Sequence, residues 1–397
     1  MNPGSAIEFA TGDYGWRVAG QGIPTDVDRQ ERYPSLDGNL AAAPLEGGYA
    51  RPGGAVLASD DGGRSWTPIF DGLASGANGV WGIDLFSAST GWVVGVTGLF
   101  RTDDAGQSWR PMGEPQGTQL VSVDFLSPDG GWGLTTKGEL VATADGGKSW
   151  QPGGWDQAGT SMCFTPSDGY LVDESGDIYA TRDQGQTWQS AYRNTDATND
   201  APVWSDIICS GQDVWSSAQY TQLSTHVNPG LLYGVVQSKD AGATWDVVMA
   251  RAPVKPGPGP AFPETGDPLG ALGTMALAQT GSDTTFITGF PAPPIIGVSD
   301  WNWALQTQSL LGGGRRGNSA RLTSLPNALD VTDGRGYVDI LGTYSLGDQG
   351  WILLADNAAL GTRGAASSSL TILLHTSDAG ASWSTLETDP PGRPHAQ

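Results

Sequence analysis

The chain has 397 residues, of which 59 are Gly and 16 are Trp; 16% are charged, and Lys+Arg 20 against Asp+Glu 42 gives a formal net charge of −22. That balance excludes nucleic acid and anionic lipid as partners, because both need basic side chains against phosphate, and no apolar run of roughly twenty residues offers a transmembrane helix. Cys163 and Cys209 are too few for a disulfide-dense scaffold or a thiolate zinc site, so a bridge between them and a pair of buried free thiols both stay open.

In chain order the same unit returns. The first spans about 7–68, with a strand opening at Gly15-Trp16 and the octapeptide Ser59 to Trp66 (SDDGGRSW). The second, 78–111, has Gly91-Trp92 and Thr102 to Trp109 (TDDAGQSW). The third, 118–152, begins with the strand Leu120 to Phe125 and carries Gly131-Trp132 and Thr143 to Trp150. The fourth, 159–190, has Gly169-Tyr170 and Thr181 to Trp188; the fifth, 203–249, has Asp206 to Cys209, Val214-Trp215 and Ser238 to Trp245. In the sixth, 271–308, strands are expected at 274–280, 283–289, 295–299 and 303–306, and the octapeptide has decayed to Ser299-Asp300-Trp301-Asn302-Trp303. The seventh, 328–386, has Gly350-Trp351 and Thr376 to Trp383.

The octapeptide reads Ser/Thr-x-Asp-x-Gly-x-Ser/Thr-Trp, and each fixed position has a physical task. Asp accepts backbone N–H groups across a turn, Gly supplies a positive φ, the hydroxyls tie the turn to itself and Trp buries a large ring between neighbouring units. These residues (Asp61, Trp66, Asp104, Trp109, Asp145, Trp150, Asp183, Trp188, Asp240, Trp245, Asp378 and Trp383) are therefore structural. A unit of about 40 residues with four short antiparallel strands, called A to D from the inside outwards, is the blade of a β-propeller. The expected fold is all-β: one seven-bladed propeller spanning 1–397. The count becomes eight if 309–340 holds a further degenerate blade, and six if the sixth unit fails.

These motifs resemble the Asp-box (BNR-repeat) propellers, most of all the photosystem II assembly and stability factor group, whose blades share the pattern of Val80 to Trp109 and Val121 to Trp150. Sialidases, xyloglucanases and sortilin-like receptors are similar in the same motif. Most such proteins work outside the cytoplasm. The resemblance thus implies an exported protein (periplasmic, cell-surface or secreted) whose targeting signal is absent from this chain, since Met1 to Ala6 has neither a basic nor an apolar leader region.

A site is made by what differs between blades, and loop length differs most. Between strands B and C, blades 2, 3 and 4 have minimal turns, whereas insertions fall at 21–54, 219–230 and 357–369. The connections 250–270 and 308–330 are also long. All five are expected on the face opposite the octapeptides, on consecutive blades 5, 6, 7 and 1. Arg29, Arg32, Tyr33, Tyr49, Arg51, Tyr220, Tyr233, Trp301, Arg315 and Arg316 in these stretches suit a carbohydrate or a peptide, whose sugar rings or prolines stack on aromatic faces. The expected function is a non-enzymatic binding or scaffold propeller for a protein or glycan, monomeric and without cofactor or metal. His226, His375 and His395 show no ligand spacing. The alternative is a glycoside hydrolase, for which Glu31, Glu264, Asp267 and Asp356 are the candidate carboxylates.

Overall fold

A computed structural model describes residues 5–19, 54–194, 204–221, 231–249, 272–280, 284–291, 306–311, 321–324, 338–356, 370–378 and 384–388; for 272–324, and at the ends of several strands between 204 and 249 and after 338, only the backbone is described. Among the described residues the strands form seven four-stranded antiparallel sheets, each contiguous in sequence. The first holds β1 (Ile7–Phe9), β2 (Gly15–Ala19), β3 (Ala55–Ser59) and β4 (Thr67–Asp71). Next come β5 (Val80–Asp84), β6 (Gly91–Gly95), β7 (Gly98–Thr102) and β8 (Arg110–Pro111), then β9 (Leu120–Phe125), β10 (Gly131–Thr135), β11 (Leu140–Thr143) and β12 (Gln151–Pro152). The fourth has β13 (Gly159–Phe164), β14 (Gly169–Asp173), β15 (Ile178–Thr181) and β16 (Gln189–Tyr192); the fifth has β17 (Trp204–Ser210), β18 (Asp213–Thr221), β19 (Leu231–Ser238) and β20 (Asp246–Met249). The last two are β21 (Leu272–Thr280), β22 (Thr284–Pro291), β23 (Gln306–Leu311), β24 (Arg321–Ser324), and β25 (Val338–Leu346), β26 (Gln349–Asp356), β27 (Leu370–Thr376), β28 (Ser384–Thr388). The inner strands neighbour one another around a central channel, and β25 returns to β1. The chain is an all-β propeller of four-stranded antiparallel blades.

The sixth unit corrects the sequence reading. Its third and fourth strands are β23 and β24, not 295–299 and 303–306, so Ser299 to Trp303 falls between strands B and C rather than at a C–D turn. The string lacks the Gly that the turn requires. In five of the octapeptides two successive residues have positive φ: Gly62 and Gly63, Ala105 and Gly106, Gly146 and Gly147, Gln184 and Gly185, Ala241 and Gly242. The second member is Gly every time.

The hydrogen bonds of this turn repeat closely. The leading hydroxyl of Ser59, Thr102, Thr143, Thr181 or Ser238 accepts the N–H of that Gly at 2.7–3.0 Å and donates to the Asp carboxylate at 2.7–2.9 Å. In each of the four turns from Asp104 to Asp240 the Asp then accepts both the N–H and the hydroxyl of the second Ser/Thr. These bonds, led by that hydroxyl, lower the carboxyls of Asp104, Asp145 and Asp240 to about 2.

Among the described octapeptide tryptophans, Trp66, Trp109, Trp188 and Trp245 are half-buried and Trp150 is buried; the deepest rings belong to strand B. Trp16, Trp92, Trp351 and Tyr170 are fully buried. Several lie flat on the phenylalanine that ends strand A of the following blade: Trp92 on Phe125 at 3.7 Å, Trp132 on Phe164 at 4.1 Å, and Trp351 on Phe9 at 3.8 Å. The Gly of Gly-aromatic makes room for this stack. A Cβ on Gly131 would lie 2.6 Å from the Phe125 ring, and one on Gly91 2.6 Å from the Trp16 ring. The apolar core is accordingly divided among the seams between blades.

Candidate functional site

Two regions of the propeller carry residues that differ between blades. The first is the face onto which B–C and D–A connections open. Blades 2, 3 and 4 cross it with short turns, β6 to β7 through Val96-Thr97 and β14 to β15 through 174–177. The connections 20–54, 222–230, 250–271, 292–305, 325–337 and 357–369 also join strand ends on this face, and they belong to blades 1, 5, 6 and 7. Residues 312–320 do not: they join β23 to β24, a C–D connection on the octapeptide face.

Of the expected site residues, Tyr220 lies near the end of β18 and Tyr233 near the start of β19, either side of 222–230, and Asp356 is the last residue of β26. These three sit at the same face of blades 5 and 7. Arg29, Arg32, Tyr33, Tyr49, Arg51 and Trp301 lie outside the described residues, as do Arg315 and Arg316 and the carboxylates Glu31, Glu264 and Asp267.

The second region is the central channel. The inner strand of each blade has one edge without a strand partner, and its N–H groups need another acceptor. Blades 1, 2 and 3 supply it from a carboxylate opposite the strand-B Trp: Glu8 faces Trp16, Asp84 faces Trp92 and Asp124 faces Trp132. Glu8 Oε2 accepts the N–H of Leu85 at 2.6 Å, Asp84 Oδ2 that of Phe125 at 2.6 Å and Asp124 Oδ2 that of Phe164 at 2.9 Å. Each is a clasp from one blade to the next.

Burial in the channel wall is the largest influence on all three acids. It raises Glu8 to about 8, with the nearby Asp124 charge adding to it, and Asp124 to about 6. Asp84 goes well above its ordinary value, through burial first and then the charges of Glu8 and Asp124. Tyr344 of blade 7 stands opposite Trp351 at the same register. Burial, then Glu8 and Asp84, raise its phenol. The sequence reading passed over these acids. Their signal was present in the strings Ile-Glu-Phe, Ile-Asp-Leu and Val-Asp-Phe, an acid flanked by apolar residues at one place in three successive units.

At the fourth blade the pattern changes. Cys163 takes the acid's place opposite Tyr170, and it is bonded to Cys209 of β17 with a Cα–Cα distance of 5.9 Å. The alternative left open by the sequence is thus decided for a bridge.

No protein-family model matches the chain, and no curated protein matches its sequence. Among solved structures, YCF48 bound to D1 peptide is similar at TM-score 0.50 and 15% identity, over 89% of this chain and 91% of that one. An ancestral GH74 enzyme is similar at TM-score 0.51 and 12% identity, over 97% of this chain but 46% of the enzyme, so the chain spans less than half of that enzyme's length. At these identities the likeness is one of fold. Both kinds of propeller that the repeat resembles, the assembly-factor kind and the glycosidase kind, stand among the structural neighbours.

Proposed function

We propose that the chain is a seven-bladed, exported, monomeric binding propeller that takes a protein segment or a glycan on the long-loop face of blades 5, 6, 7 and 1, and that it is not an enzyme. The observation carrying this reading is the placement of the long connections of blades 5, 6, 7 and 1 on one face, where the B–C turns of blades 2 to 4 are short. Loops on a rigid scaffold are the usual carriers of specificity. Tyr220 and Tyr233 flank one of these connections. The disulfide agrees with an oxidising compartment, where such bonds persist. YCF48, similar in fold, holds a peptide. The channel acids argue against hydrolysis, because each is committed to a backbone N–H rather than to a paired acid and base.

The hydrolase reading retains one observation, Asp356 at the end of β26 on the long-loop face. One experiment separates the two. The purified protein is incubated with a mixed oligosaccharide library, followed by mass spectrometry, and is bound in parallel to peptide and glycan arrays. The expected result is intact oligosaccharides, together with array binding that disappears when 222–230 and 357–369 are each replaced by a two-residue turn. New oligosaccharide fragments would overturn the binding reading; array binding that survives the replacement would move the site off this face.

A further inference from the structure

Cys163 and Cys209 occupy the two ends of a clasp. Cys163 stands opposite Tyr170, the register that Glu8, Asp84 and Asp124 hold in their own blades. Cys209 stands opposite Val214, the register of Phe125 opposite Gly131 and Phe164 opposite Gly169, whose N–H groups the carboxylates engage. The disulfide therefore joins the same pair of positions across the seam between blades 4 and 5 that a carboxylate and an amide join across the three seams before it.

The seam also lacks the aromatic stack, although Ser161 Oγ accepts the N–H of Ile207 at 3.3 Å and donates to Asp206 at 3.1 Å across it. Where Phe125 and Phe164 receive a stacked tryptophan from the preceding blade, blade 5 has Cys209, and Tyr170 has no phenylalanine there to lie on. Two inter-blade contacts have been replaced by one covalent bond. Both cysteines are half-buried in the channel wall, within a residue of the A–B turns that open onto the octapeptide face. A disulfide partly open to solvent at a strand end is within reach of a thiolate, unlike one sealed in a core.

We propose that Cys163–Cys209 is a redox-operated lock on the blade 4–blade 5 seam, opened by a dithiol reductant of the thiol–disulfide oxidoreductase class while the carboxylate-held seams stay closed. A reductant thiolate attacks one of the two sulfurs, forming a mixed disulfide and releasing the other cysteine as a thiolate. The second thiol of the reductant then attacks the reductant's own sulfur in the mixed disulfide and expels the remaining protein cysteine as a thiolate, leaving the reductant as a disulfide. Cys163 and Cys209 each gain one electron and one proton. The reduced seam keeps the Ser161 contacts to Ile207 and Asp206 but has no clasp at the Cys163 and Cys209 positions, because a thiol is a weak acceptor for a neighbouring N–H.

The test treats the folded protein with dithiothreitol, traps free thiols with a maleimide, and compares melting temperature and native-state hydrogen exchange before and after. The loop closed by the bond spans 46 residues. Its release lowers Tm by about 5 °C for a chain of this size. Exchange rises about tenfold or more in β13 and β17 while β1, β5 and β9 are unchanged. The double variant Cys163→Asp/Cys209→Phe, which rebuilds the clasp of blades 3 and 4, is expected to ignore dithiothreitol in both readouts. Cys163→Ser/Cys209→Ser should show the reduced protein's exchange pattern without reductant, and it keeps the test decisive if the rebuilt clasp fails to fold. The proposal is overturned if the bond is reduced only after denaturant is added, or if the reduced protein keeps the Tm and exchange pattern of the oxidised one.

Discussion

The seams between blades 1, 2, 3 and 4 and the seam between blades 4 and 5 do the same job with different chemistry. In the former, a half-buried carboxylate grips the next inner strand, and at two of these seams a tryptophan lies flat on the phenylalanine beside that contact. In the latter a disulfide spans the equivalent positions. What the repeat preserves is a place where adjacent inner strands must be joined. The residue at that place is free to change so long as the joint is made. The two solutions answer to different conditions, proton concentration for the carboxylates and electron donors for the disulfide.

The aromatic half of the first solution is expected to carry the largest single effect. Trp92→Ala removes a fully buried ring, its stack on Phe125 and its indole N–H bond to Gly146 O at 3.1 Å. A loss of about 3–5 kcal/mol is expected, a fall in Tm of roughly 4–6 °C by calorimetry. A change below about 1 kcal/mol would show that the stack contributes no more than its neighbours can replace.

The carboxylate half comes next. Asp124→Ala leaves the Phe164 N–H without its acceptor and should cost about 1–3 kcal/mol, whereas Asp124→Asn keeps a carbonyl oxygen there and should cost less. Equal losses in chemical denaturation would mean that charge, not the hydrogen bond, makes the clasp.

The pH dependence follows from the signs of the shifts. Asp104, Asp145 and Asp240 lie near 2 in the folded protein, so their contribution is present above about 3.8 and fades as pH falls toward 2. Asp124 and Glu8 are raised, to about 6 and about 8, so their contribution is complete below their ordinary values and is lost as pH rises through those figures. Thermal stability should therefore peak near pH 4–5 and decline toward pH 8. Glu8→Gln should flatten that decline and raise Tm at pH 8; a wild-type Tm that climbs steadily from pH 5 to pH 8 contradicts the assignment.

The smallest effect belongs to the turns. Ala105 is held at φ 60 where three of the other octapeptide turns have Gly or Gln and one has Ala. Ala105→Gly should stabilise by about 1 kcal/mol, read as a rise of roughly 1 °C.

Much of this architecture is legible in the sequence, because the octapeptide needs Gly at a positive φ and hydroxyls two residues before and four after its Asp, requirements that leave an unmistakable string. The sixth blade is illegible for the same reason: Ser299 to Trp303 has no Gly to mark its turn. The clasps were missed because an acid on an otherwise apolar inner strand reads as ordinary strand alternation. Only the pairing of Glu8, Asp84 and Asp124 with successive strand-B tryptophans shows that they share one register. Cys163 and Cys209 stand out as a candidate bridge, but only the strand pairing shows that they occupy the acid and the phenylalanine positions of adjacent units.

Each blade is built from one uninterrupted stretch of chain, and the last meets the first where β25 lies beside β1 and where Trp351 of β26 stacks on Phe9 and donates its indole N–H to Gly62 O. During synthesis the first blade therefore leaves the ribosome long before the surface that will cover Ile7 and Phe9 has been translated. Every later blade can dock on its predecessor as it emerges, but that first face must wait, apolar and uncovered, for the whole protein. Of the nascent propeller the first blade stays uncovered longest, and the ring closes in a single late event.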